Sequence, residues 1–289
     1  MDKIIKLIKI FFASKHVHKA FTTFIFSIIF SCFLIWLIKS NYYEKKVEEQ
    51  SMRHSLKEKF KIENSKREYY ISPSAKYLKG KSRPLFIFIH GIEQDWPNSN
   101  DTKLTYSTVN KLAIKEKFIA IFPKGSKGSC DWDNNKYINY YCWSTKDNKD
   151  RVFIKSLKDY IQKTYKTDPK KVYLIGFSNG GFFVVNQIFK HHLEDKYTGY
   201  GINSGGGDAN LNDPIFNYKE KFPIFMSVGK KDTYQLDTMR YLAGIFLKLG
   251  WKQKQDLMYH EFDGVHEINK NDLEDEIYFL LNYKNSNSK

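Results

Sequence analysis

Ser178 stands in the run Gly176-Phe177-Ser178-Asn179-Gly180-Gly181, between an apolar stretch, 171–175, and an amphipathic one that runs to about Lys190. A serine on a sharp turn from strand to helix can attack a carbonyl carbon, and the turn needs small residues two before and two after it. Gly176 and Gly180 meet that need. The helix opening at Asn179 would aim its N–H groups and positive dipole end at the same spot, so the Asn179 amide can stabilise an oxyanion.

A hydroxyl is a weak nucleophile until an imidazole takes its proton and a carboxylate orients that imidazole. Both should come later in the chain, just past strand ends. Apolar residues 224–228 lead into Gly229-Lys230-Lys231-Asp232, and residues 257–262 lead into Asp263-Gly264-Val265-His266. Asp232 is the expected orienting acid and His266 the expected base. The competitors are Asp237, read as a helix cap, Asp263, too close in sequence to face His266, and His260, inside a strand. His191 and His192 read as solvated cations at a helix end, and Ser204 lacks a glycine two residues before it. A second oxyanion donor is expected in the loop after 85–89, where His90-Gly91 makes the turn and Ile92 offers its N–H.

These residues need a scaffold. Beyond Ser65, short apolar runs alternate with amphipathic segments, the pattern of a mostly parallel sheet with helices on both faces. Strands are expected at 67–72, 85–89, 118–122, 171–175, 200–203, 224–228 and 257–262, with helices near 105–116, 150–165, 179–190, 237–249 and 270–283. The loops 93–104, 124–149 and 205–222 would frame a cleft at the strands' carboxyl ends. The middle loop carries Trp132, Tyr137, Tyr140, Tyr141 and Trp143. These aromatics suit stacking on a substrate ring or ordinary loop packing. Cys130 and Cys142, twelve apart, read either as one bridge or as two free thiols.

Ahead of the domain the pattern changes. Of the formal net charge of +15, residues 1–66 hold 13 basic and 6 acidic side chains, a net of +7, and no dense basic run follows. That argues against a nucleic-acid partner. Residues 1–19 read as a basic cytoplasmic leader, and 20–38 hold no formal charge over 19 residues, long enough for a transmembrane signal-anchor. No Ala-x-Ala site ends the apolar run, so an uncleaved anchor with an exported domain is preferred to a secreted, cleaved form. Residues 39–66, rich in Lys and Glu with Val47, Met52, Leu56 and Phe60 at rough helical spacing, are expected to form a charged stalk before a catalytic domain at 67–289.

Several of these segments occur in a familiar order: Arg67-Glu68-Tyr69-Tyr70, Leu85 through Gly91, Gln94, Phe122-Pro123, Cys142-Trp143, Asp168-Pro169-Lys170-Lys171-Val172-Tyr173 and the serine turn. Over about residues 67–268 the chain resembles the secreted polyhydroxybutyrate depolymerase and feruloyl or acetylxylan esterase group of α/β-hydrolases. The resemblance implies an α/β-hydrolase fold and hydrolysis of a carboxylic ester through an acyl-serine. It puts Ser178, Asp232 and His266 on the family's triad positions. Gln94 and the loop residues Trp132 and Trp143 are candidate substrate contacts, and an acyl-serine cycle calls for no metal or organic cofactor. The oxyanion loop, His90-Gly91-Ile92-Glu93-Gln94, lacks the family's glycine run, and Glu267-Ile268 replaces an aromatic context after the histidine. A serine peptidase or thioesterase on the same scaffold, or a membrane-tethered binding module without turnover, are the alternatives.

Overall fold

The computed structural model describes residues 23, 25–36, 38–39, 56–62, 65–78, 80, 82–128, 130, 137–207, 213–217 and 220–284. They fall in two units, Met1–Gln50 and Ser51–Lys289.

In the first unit residues 25–36 are helical, and Phe26, Ile29, Phe30 and Trp36 on them are exposed. Among the described residues no helix is long and apolar enough to cross a membrane. Twelve residues rise only about 18 Å of a ~30 Å hydrocarbon layer. Residues 20–22, 24 and 37 of the expected span, and the leader 1–19, lie outside the described residues.

The second unit is built on one eight-stranded sheet. Its strands are β1 (Leu56–Ile62), β2 (Ser65–Ile71), β3 (Leu85–Ile89), β4 (Ile119–Pro123), β7 (Val172–Phe177), β8 (Gly199–Asn203), β9 (Ile224–Gly229) and β10 (Leu257–Phe262), while β5 (Ser126–Lys127) and β6 (Tyr141–Cys142) form a separate pair. The order is β1-β2-β4-β3-β7-β8-β9-β10. Pairing is antiparallel at β1/β2 and β2/β4 and parallel elsewhere in this sheet. Helices α1 (Ser74–Leu78), α2 (Asn100–Lys115), α3 (Lys149–Tyr165), α4 (Asn179–Asn186), α5 (Leu236–Lys248) and α6 (Lys270–Asn282) accompany it, with short helical segments at Gln187–His191, His192–Asp195 and Pro214–Asn217.

The central strands read as unbroken apolar runs because both sheet faces are covered. Ile87, Ile89, Leu174 and Ile202 join one core with Leu157, Phe183 and Phe246 from α3, α4 and α5, whereas Phe86, Phe88, Tyr173 and Ile175 join the other with Val109 and Ile277 from α2 and α6. Alternate residues of a strand point to opposite faces, so one strand feeds both cores.

The sequence reading is corrected at the start of the domain. Residues 56–62 are not a helical stalk but a strand paired with β2 from Leu56↔Ile71 to Ile62↔Ser65. Their Lys and Glu side chains suit an edge strand as well as a solvated helix. Residues 39 and 56–62 and 65–66 apart, the stalk lies outside the described residues.

Burial also places charge inside. The Arg67 guanidinium donates to Asp150 Oδ1 at 2.6 Å and to the Lys124 carbonyl at 2.8 Å, and lies 3.7 Å from the Phe153 ring centroid. Asp150 also accepts from Ser126 Oγ and Ser144 N, so one ion pair pins both ends of the 124–149 loop. Under the sheet, Glu276 is fully buried, takes both hydrogen bonds of Asn203 Nδ2, and would collide with any side chain at Gly201. Burial pushes its carboxyl up from 4.5 to about 8. Below pH 4.5 both states hold the proton and stability is full. Between 4.5 and 8 the unfolded chain sheds it first, so stability falls as pH rises. Glu276→Gln should lack this loss. Denaturant titrations at pH 5 and pH 8.5 should show the variant gaining on the wild type by on the order of a few kcal/mol.

Candidate active site

The carboxyl ends of four parallel strands carry the candidate groups. Ser178 follows β7 and precedes α4, with φ 52° and ψ −116°. A non-glycine residue rarely adopts this backbone, and holding it there costs about 1–3 kcal/mol. The neighbouring glycines make the turn possible. A Cβ on Gly176 would lie 2.1 Å from the Gly180 carbonyl oxygen, and one on Gly180 would lie 2.2 Å from that of Ile89.

Asp232 lies in the turn after β9, buried to 1% exposure, and His266 in the loop after β10. His266 Nε2 is 2.9 Å from Ser178 Oγ, and its Nδ1 is 2.8 Å from Asp232 Oδ2. The carboxylate fixes the tautomer: Nδ1 carries the proton toward Asp232, which leaves the Nε2 lone pair facing the hydroxyl. Asp232 Oδ1 is held in turn by the N–H groups of Tyr234 and Gln235.

The competitors lie elsewhere. Asp263 pairs with Lys231 at 2.8 Å on the surface, and His260 Nδ1 meets Asp272 Oδ1 at 2.7 Å. Asp237 stands in the first turn of α5, whose N-cap is Gln235. Ser204 is fully buried. His192 corrects the reading as a solvated cation: it is buried, 2.7 Å from the Tyr200 hydroxyl, and burial pushes its pKa down to about 4.

The loop after β3 lies against Ser178, since a Cβ on Gly91 would come within 3.2 Å of Ser178 Cβ. His90 sets this loop. Its Nε2 accepts from Gly125 N at 2.9 Å, so Nδ1 must carry the proton and donates to the Gly91 carbonyl at 2.6 Å. Burial keeps the ring neutral, with its pKa pushed down to about 3. In a trans peptide the C=O and following N–H point opposite ways, so fixing the Gly91 carbonyl turns the Ile92 N–H away from His90.

The remaining expected residues divide. Gln94 is exposed on the same loop, and Trp132 lies outside the described residues. Trp143 is corrected: at 0% exposure it is core, with no face for a substrate. Its main chain is gripped by the Asn179 side chain, which accepts from Trp143 N at 2.7 Å and donates to Trp143 O at 3.0 Å. Cys130 and Cys142 are bonded. Replacing both by Ser is expected to cost about 2–3 kcal/mol in a denaturant titration. It should also lower kcat severalfold, because Cys142 adjoins the residue that holds Asn179. Sequence reasoning missed Tyr234, 76% exposed, whose ring lies 5.9 Å from that of His266. An aromatic two residues after the acid was the available signal. Among the described residues no group of three or more His, Cys, Asp and Glu is placed to hold a metal ion.

This arrangement can be set beside known proteins. The family described as Putative esterase matches residues 60–270, most of the chain. The chain belongs to that family. The chain is also 34% identical over 152 residues, 52% of its length, to a bifunctional acetylxylan esterase/xylanase from Neocallimastix patriciarum, and spans only 19% of that larger protein. Among solved structures it is similar to a ferulic acid esterase from Anaeromyces mucronatus, with a TM-score of 0.56 and 15% identity over 78% of this chain and 89% of that one. A carboxylesterase from Mesorhizobium loti gives a TM-score of 0.56 and 13% identity, covering 78% of this chain and 99% of that one. These likenesses establish the chain's fold as that of an α/β-hydrolase.

Proposed function

We propose that this esterase hydrolyses carboxylic esters through an acyl-serine, with Ser178 as nucleophile, His266 as general base and acid, and Asp232 as orienting carboxylate. The observation that carries this reading is the single imidazole spanning Ser178 Oγ and Asp232 Oδ2 at 2.9 and 2.8 Å. As Oγ attacks the ester carbonyl, Nε2 takes its proton, and the imidazolium is stabilised by Asp232. The Asn179 N–H, which as the first of a helix has no intrahelical acceptor, and the Ile92 N–H hold the oxyanion. Collapse transfers the proton from Nε2 to the leaving alcohol. Water then attacks the acyl-serine with the same base and frees the acid. The cycle is written without a metal or organic cofactor.

For substrate, the acetylxylan and ferulic acid esterase relatives favour acetyl or hydroxycinnamoyl esters of sugars. Hydrolysis rates of acetyl, hydroxyalkanoate and feruloyl esters, with peptide and thioester controls, test this. Fastest turnover of an oxygen ester supports it, and turnover confined to a peptide or thioester contradicts it.

The same reading places the domain outside the cytoplasm, tethered by residues 20–38. The exposed apolar side chains on 25–36, the basic leader and a bonded cysteine pair, which suits an oxidising compartment, support it. Retention in the membrane pellet after alkaline extraction, with the domain cleaved by protease added outside, is expected. Release of the whole chain into the soluble fraction contradicts it.

A further inference from the structure

Behind the oxyanion loop, on the α2 and α6 side of the sheet, a pocket open to solvent reaches from Gly91 and Phe177 down toward α2. It adjoins the catalytic groups without containing them. Gly91 lies against Ser178, and the Phe177 ring, part of the wall, is 5.3 Å from the His266 ring. Phe88, Trp96 and Phe122 supply most of the rest of an aromatic box.

Among the polar groups in that wall, two carry a buried atom without a hydrogen-bond partner. Glu93 is 94% buried on its 6% exposure, and its Oε1 accepts the Thr102 hydroxyl, whereas its Oε2 is buried without a partner. The Tyr106 hydroxyl, whose ring is 4.4 Å from that of Phe122, is likewise buried and unpartnered. Both line the pocket. Each unmet buried polar atom costs about 1–3 kcal/mol, and the fold keeps two in one cavity. The pair is also well anchored. Glu93 N and O exchange hydrogen bonds with Tyr141 at 3.1 and 2.7 Å, and Tyr106 projects from the middle of α2.

We infer that this pocket is a binding subsite for a hydroxyl group carried on a small ring, with Glu93 Oε2 accepting the hydroxyl's proton in a hydrogen bond and the Tyr106 hydroxyl donating to its oxygen. One hydroxyl satisfies both orphaned atoms, and the aromatic walls bury the ring that bears it. A carboxylate ligand would meet the acid of Glu93, and a purely apolar one would leave both atoms unmet. As a part of an ester, the group would lie on the far side of Gly91 from Oγ. The pocket itself does not depend on the ester reading, but its place in turnover does.

Two measurements separate the two. Binding of p-cresol and of toluene to the full chain, by calorimetry or thermal shift, requires no turnover. Wild type should hold p-cresol at least ~10-fold more tightly than toluene, and Tyr106→Phe, which keeps the ring, should bring that ratio near unity. Glu93→Gln should lower it as well, so the result does not hang on one variant's folding. Rates on ethyl phenylacetate against ethyl 4-hydroxyphenylacetate, and on benzyl acetate against 4-hydroxybenzyl acetate, then report which half of the ester enters. A hydroxyl preference in one pair, brought near unity by Tyr106→Phe, supports the subsite. No cresol preference, or a preference unchanged in both variants, overturns it and leaves an internal water site only. Cresol discrimination without hydrolysis of any ester keeps the pocket and removes the esterase reading.

Discussion

Replacing Ser178 by Ala is expected to lower kcat on ester substrates by roughly 10⁴- to 10⁶-fold while leaving KM and the melting temperature nearly unchanged. In the proposed cycle the hydroxyl forms the acyl bond, and its loss removes that covalent route outright. Ala fits the same strained backbone, because the turn is fixed by Gly176 and Gly180 against neighbouring carbonyls and by Ser178 N bonding to Asn203 O at 2.9 Å. The residual rate reports what the main-chain donors of Asn179 and Ile92 supply without a nucleophile. His266→Ala should fall about as far, and the double variant scarcely further, since the two act as one unit.

Asp232→Asn should cost about 10⁴-fold in kcat with the fold intact. The carboxylate accepts the Nδ1 proton of His266 at 2.8 Å; an amide there can present its NH₂ to Nδ1 and stabilise the opposite tautomer, whose Nε2 bears a proton and cannot serve as base. It also removes the negative charge that steadies the imidazolium. Because Oδ1 accepts from Tyr234 N and Gln235 N, the amide oxygen can keep those bonds, so the turn survives. A pH profile separates the two causes: a tautomer block is partly relieved at high pH, where hydroxide replaces the missing base, whereas a collapsed loop is not.

Much of this site was legible because each member announces itself locally. Gly176 and Gly180 flank a serine between an apolar strand and a helix, and Asp232 and His266 follow apolar runs that end in glycine-bearing turns. Parallel strands bring such ends together, so distance along the chain did not hide that Ser178, Asp232 and His266 meet. What was hidden depends on packing. Trp143 stands in a polar, aromatic loop, and nothing in that composition says that the Asn179 side chain draws its main chain inward. The strand Leu56–Ile62 reads Leu-Lys-Glu-Lys-Phe-Lys-Ile, where Leu56 and Phe60 are four apart, which fits a helix face as well as the alternation of an edge strand. His192 follows Lys190 and His191, and only its packing against Tyr200 and Phe222 shows that it is buried and neutral. Glu93 and Tyr106 are thirteen residues apart on different elements, and their shared cavity exists only once α2 packs across the loop after β3.

The most direct test is to trap the nucleophile. The chain is treated with a fluorophosphonate, digested, and mapped by mass spectrometry beside the Ser178→Ala and His266→Ala variants. One phosphonyl adduct on the peptide containing Ser178, absent from the first variant and formed far more slowly in the second, is the predicted result. An adduct on another serine, or ester hydrolysis that persists undiminished when position 178 is alanine, contradicts the account.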